Sequence, residues 1–233
     1  MLRRLIKASA IVLGMAPICL WVAGCSVTPV KMGAAAITGN ERITIATLNT
    51  EVINLSQSVK QYPGLISMTP AQQTQQTLTW LVRFQINDQL AQQQGITVST
   101  AQAQAALAVA YAAAKSQFEA QGMSNVTLNF VLADAGIPPD LSAELGRYLA
   151  IETQYVKNVN GGTLPTSASA QAAAGTKLDG AQCVAAKSLN ILINPQFGQM
   201  NYASQAVVSA PSPVSGTPGP TPSPSTSGLA PAC

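Results

Sequence analysis

The sequence predicts a mainly α-helical fold of about five helices with a small β element. Apolar residues recur every four positions in long segments, as in Leu78, Val82, Ile86 and Leu90, and that spacing lines one face of a helix. Two helix starts carry the pattern of a capping box, Thr69-Pro70-Ala71-Gln72 and Ser99-Thr100-Ala101-Gln102. The β element follows from two extended apolar stretches, at about 35–44 and about 188–194, bounded by a Gly-Asn turn and by Pro195.

Residues 1–24 have the layout of a secretory signal. Arg3, Arg4 and Lys7 precede an apolar run from Ala8 to Ala23 that Pro17 interrupts and that is shorter than the roughly 20 residues a membrane-spanning helix needs. The run closes on Val22-Ala23-Gly24-Cys25, which resembles the lipobox of bacterial lipoproteins. That resemblance implies lipidation of Cys25, which becomes the mature N-terminus, and a location on the extracytoplasmic face of the cell membrane. A single acyl chain holds only reversibly, so firm attachment implies a multiply acylated cysteine.

A tether over 25–33 leads into Ala34 to Thr44, read as a strand, a turn at Gly39-Asn40 and a second extended stretch. Thr44 is a good N-cap for a helix over 45–60, with Leu48, Val52, Leu55 and Val59 on one stripe. The helix that opens at Thr69 runs to a stop at Gly95. The helix that opens at Ser99 is rich in alanine and runs to Gln121, with Gly122 as its C-cap. A short helix fits 126–133, and Asp140 starts another through Leu141, Leu145, Leu149 and Tyr155 to Gly161-Gly162. These segments make a helical region over 34–162.

The Ser/Ala/Thr-rich stretch 163–182 reads as a linker, and 183–208 as returning strands that complete the domain, with a second short strand at Gln205 to Val208. From Ser209 onward the chain is mostly Pro, Ser, Thr and Gly, and 209–233 reads as a disordered tail. Once Cys19 leaves with the signal and Cys25 takes lipid, Cys183 and Cys233 remain. They form either a disulfide that ties the C-terminal segment to the body or two free thiols.

Composition excludes much. The 233 residues include no histidine, which removes Ser-His-Asp and Cys-His nucleophile systems and every His-ligated metal site. Only 9% of residues are charged. With Arg3, Arg4 and Lys7 gone, nine basic residues face nine acidic ones, so nothing points to nucleic acid. Asp134, Asp140 and Glu144 cluster at a helix junction, where carboxylates favour the helix N-terminus. Gly161-Gly162 lacks the Lys-Ser/Thr of a phosphate loop. No enzymatic chemistry, cofactor or metal is expected.

Trp80 and Phe84 lie four apart on a face roughly opposite the Leu78-Val82-Ile86 stripe. A helix apolar on two faces is usually sandwiched between layers. Otherwise these rings form an exposed patch that grips peptides.

The order of elements resembles the SurA N-terminal domain family, in particular actinobacterial lipoproteins of that family. The likeness rests on Ala36-Ile37 through Arg42-Ile43-Thr44 followed by a helix, on the Leu78 to Leu90 helix, and on Gly95-Ile96-Thr97-Val98-Ser99 entering a third. The Gly136-Ile137-Pro138 turn into a helix with Arg147 fits it too. Late in the chain, Ile193-Asn194-Pro195-Gln196-Phe197-Gly198 stands where those lipoproteins commonly read Val-Asn-Pro-Arg-Phe-Gly, with Gln196 in place of the basic residue. The resemblance covers about 34–202 and implies that the late strand pairs with the early one. It also implies chaperone-like binding of extended or unfolded exported polypeptides. A parvulin-type prolyl isomerase domain is not expected, because the short stretch between Gly162 and Cys183 is far below the ~50 residues of a small domain. The competing expectations are an envelope interaction module with one folded partner and, more weakly, a small-ligand-binding lipoprotein.

Overall fold

The computed structural model describes residues 32–209. Six α-helices make this part 62% helical, with small antiparallel sheets beside them. Strand β1 (Ala34–Thr38) turns at Gly39-Asn40 into β2 (Glu41–Thr44), with Ala36 opposite Ile43 and Ile37 opposite Arg42. Thr44 then caps α1 (Ile45–Lys60), its side-chain oxygen accepting from the Thr47 amide at 2.9 Å. Helix α2 (Pro70–Gln94) begins on the complete Thr69/Gln72 capping box and stops at a left-handed Gly95. Helix α3 (Thr100–Ala120) begins on the same device at Ser99/Gln102. Thr127 caps α4 (Leu128–Asp134), and a 3-10 turn at Pro139–Leu141 leads into α5 (Ser142–Val159).

Helix α2 is the centre of the fold. Its Leu78, Val82, Ile86 and Leu90 are buried against Leu48 of α1, Ala36 and Ile43 of the sheet, and Tyr155 of α5. On its other side Phe84 joins Leu132, Ile137, Leu141 and Leu145 in a second cluster. The two-sided apolar pattern therefore marks a sandwiched helix. A third cluster, with Ile66, Val126 and Phe130, closes the end where α1 and α4 meet.

The stretch expected to be a linker is corrected. Residues Ala168–Ser188 form a sixth helix, α6, capped by Ser167 and packed on α2 and α5. Its composition of Ala, Ser, Gly and Thr carries no strong stripe. Ala174, Cys183, Ala185 and Ala186 are nevertheless buried, and Leu178 packs on the main core. Small residues let α6 approach its neighbours closely, and tertiary contact offsets the cost of Gly175 and Gly180 within a helix.

The late strand is shorter than expected because α6 runs through Ser188 and the chain then turns at Leu189-Asn190, with Asn190 at a φ of +47°. Strand β3 (Leu192–Ile193) runs antiparallel beside β1, giving the order β2-β1-β3, so the early and late strands do pair. Asn194 extends the junction, its amide donating to the Ala35 carbonyl at 2.9 Å and its side chain to that of Ala34 at 3.1 Å. Beyond it, β4 (Gln199–Asn201) and β5 (Ala206–Val208) form a hairpin that pairs the short strand expected near 205–208 with one the sequence did not announce. Gly198 is required here. Its φ is +130°, and a Cβ would collide with the Val208 carbonyl. The Val207 amide donates to Thr79 Oγ1 at 3.0 Å, which pins the hairpin to α2.

Candidate functional site

Helices α3 and α5 make the most extensive helix–helix contact among the described residues, and the reason is local. Ten of the 21 residues of α3 are alanine, which favours helix without requiring a deep core. None of its residues is fully buried, and the helix packs by one half-buried stripe that includes Ala103, Leu107 and Ala114. Gly146 of α5 lies against that stripe at Ala103 and Leu107.

Beside this contact the two helices leave an apolar groove of about 460 Å³. Ala106, Val109 and Ala110 form the α3 wall, Leu149 and Ala150 the α5 wall, and Val98 and Leu164 close the ends. Val109 is 71% exposed and Leu164 50%, so large apolar side chains stand free at the rim. Gln102, Thr153, Gln154 and Lys157 supply polar edges. The groove can take up aliphatic side chains while its amides reach the backbone of an extended chain.

Trp80 and Phe84 are elsewhere. Phe84 is a core residue, as expected of a helix sandwiched between layers. Trp80 is half-buried, has its ring centre 5.8 Å from those of both Phe84 (tilted) and Tyr148 (edge-on), and donates from its indole nitrogen to the Ala135 carbonyl at 3.2 Å. Arg83 covers its other side, 5.2 Å from the ring centre. Both aromatics belong to the packing between α2 and α5. Phe118 likewise packs edge-on against Phe130, and the Tyr111 hydroxyl donates to the Val126 carbonyl at 2.8 Å.

A second cavity, of about 400 Å³, is polar and lies between α2, α5, α6 and the β4–β5 turn. Buried Gln182 of α6 joins its walls. Its amide donates to Glu152 at 2.8 Å and to Asn87 Oδ1 at 3.2 Å, and its carbonyl accepts from Gln205 at 3.4 Å. Asn87 in turn donates to the Tyr148 carbonyl at 2.9 Å. Burial pushes the Glu152 carboxyl above its ordinary range, against the pull of hydrogen bonds from Tyr148 and Gln182 and of the Arg83 charge. Burial and the neighbouring Glu152 raise the Tyr148 hydroxyl as well. Every side chain of this network has a protein partner, which is the signature of a structural joint between elements.

Cys183 lines this cavity and is disulfide-bonded, with its sulfur 3.7 Å from the Tyr202 carbonyl. Cys25 and Cys233 lie outside the described residues, as do the signal segment 1–24, most of the tether and the tail beyond Ser209. Among the described residues, no His/Cys/Asp/Glu group is placed to hold a metal ion, and no helix is long and apolar enough to cross a membrane.

Sequence reasoning missed the groove. The available signal was Val109, a large apolar residue among alanines on the outward side of α3, together with Gly146 in a helix otherwise free of glycine. No family model, curated protein or solved structure matches this chain.

Proposed function

We propose that this chain is a non-catalytic, chaperone-like lipoprotein, related in its helical body to SurA N-terminal domains. It is anchored through lipid on Cys25 and holds extended or unfolded exported polypeptides in the groove between α3 and α5. The observation that carries the reading is the groove itself, open and apolar, with Val109 and Leu164 exposed at its rim. Exposed apolar surface of this kind marks a binding site more often than chance packing. The polar rim suits a polypeptide, whose backbone needs hydrogen bonds wherever its side chains are buried. A nearly neutral mature chain adds no steering by charge, in keeping with clients chosen by exposed apolar segments.

The experiment uses acyl-free protein from Ser26 onward with a chemically denatured client and a labelled extended apolar peptide. Suppressed client aggregation and saturable peptide binding are expected, and Val109→Asp together with Leu164→Asp weakens the peptide at least tenfold. No suppression at several-fold excess, with one saturable folded partner recovered from envelope extracts, replaces this reading with that of an interaction module.

A further inference from the structure

The three-stranded sheet has an inner and an outer face, and its register assigns the residues to each. Directly opposed residues of an antiparallel pair share a face. The row Ile43–Ala36–Ile193 turns inward and joins the main core. The next row, Arg42–Ile37–Leu192, therefore turns outward. Arg42 is exposed, Ile37 half-buried, and Leu192 52% exposed. Along the β1–β3 side runs an apolar trough of about 350 Å³, with Ala34, Ala36, Ile37, Leu192, Ile193 and Pro195 in its walls. Met32, 78% exposed, precedes β1, and its carbonyl accepts a hydrogen bond from Arg42.

Chain length limits how far the start of this sheet can stand from Cys25. Only six residues, Ser26 to Lys31, separate Cys25 from Met32. Even fully extended, they place Met32 within about 25 Å of the anchored cysteine. The first part of the fold that follows the anchor along the chain is thus a sheet whose outer row carries Arg42 and exposed Leu192, with exposed Met32 just before it. That chemistry matches the boundary of an anionic bilayer, where cationic side chains meet headgroup phosphates and apolar ones reach the acyl region.

We propose that the outer face of the β2-β1-β3 sheet docks on the lipid bilayer that carries the anchor, with Leu192 and Ile37 at the acyl boundary and Arg42 among the headgroups. The inference rests on the lipid-anchor reading of Cys25 and adds an orientation to it.

The test uses the full, lipidated chain in vesicles of phosphatidylcholine and phosphatidylglycerol with brominated acyl chains. Leu192→Trp places a fluorophore on the docking face. Val109→Trp places one on α3, which packs on α4 and α5. Trp80 gives the same background in both. Bromine is expected to quench Leu192→Trp at least twofold more than Val109→Trp, and adding Arg42→Glu removes at least half of that difference while the chain stays on the vesicles. Flotation separates the two levels of the argument. A chain that does not float with the vesicles overturns the anchor reading and this proposal with it. A chain that floats but shows equal quenching at the two positions, or an Arg42→Glu change without effect, overturns the docked face alone.

Discussion

Gly146 of α5 sits beneath the carbonyl of Ala103 in α3, so close that a methyl group on Gly146 would lie 2.7 Å from that oxygen and 3.4 Å from Leu107 Cβ. The obstacle is backbone, which cannot rotate away as a long side chain would. The spacing of the whole α3–α5 wall, and with it the width of the groove, depends on this position having no side chain.

Gly146→Ala should therefore push α3 outward. Overpacking of this kind costs about 1–3 kcal/mol, against which the better helix propensity of alanine returns less than about 1 kcal/mol. Thermal unfolding measures the loss, and peptide binding should weaken by more than the fold does. A variant as stable as the parent would show that α3 is not held at this contact.

Groove and aromatic cluster make opposite predictions for binding. Val109→Asp changes an exposed side chain, so it should leave the melting temperature nearly unchanged and reduce affinity for an apolar peptide about tenfold, or ~1.4 kcal/mol. Trp80→Phe removes the hydrogen bond to Ala135 and should lower stability by about 1 kcal/mol while leaving peptide affinity as it was. Titration of both variants with the same peptide checks the pair, and the reverse pattern would return the site to Trp80.

The Glu152 carboxyl is held above its ordinary range chiefly by burial, so the folded chain keeps this proton more tightly than the unfolded chain does. Its stabilising effect is then complete below the unfolded-state value near about 4.3 and is lost as pH rises through the folded-state value. Stability attributable to Glu152 should increase as pH is lowered from neutral toward that range. Glu51, also raised mainly by burial, contributes in the same direction, so the comparison must be with Glu152→Gln and not with a single pH profile. Denaturant unfolding of both proteins across this window should show the difference shrinking as pH falls.

Arg83 holds the β4–β5 turn by two carbonyls, donating from Nε to Gln205 and from Nη2 to Ser204, each at 3.0 Å. Gln205 has a φ of +50°, a conformation that needs support in a residue other than glycine. Arg83→Ala should free the turn and cost about 2 kcal/mol. Limited proteolysis should then cut near 202–205 in the variant and not in the parent. Equal resistance would mean that the Val207–Thr79 and Gln205–Gln182 bonds hold the hairpin without Arg83.

Local rules made most of the fold legible in the sequence. Thr44, Thr69 and Ser99 start helices in the structure because a side-chain oxygen next to free amides needs no distant partner. The two apolar faces of α2 could be read from period alone, and so could its central place. Helix α6 could not. Ala, Ser and Gly fit a linker or a helix about equally until Ala185 and Ala186 meet the core and Gln182 meets Asn87 and Glu152. Among the described residues, the candidate site was the least legible part, because its walls are alanines whose meaning depends on what stands opposite. The sequence by itself determined where α1, α2 and α3 begin, that α2 is apolar on two faces, and that histidine chemistry is absent. Tertiary structure alone decided that Val109 is free and that a groove opens beside the α3–α5 contact. Capping and periodicity act within a turn or two of chain, whereas burial and groove width are set by residues such as Ala103 and Gly146, 43 positions apart.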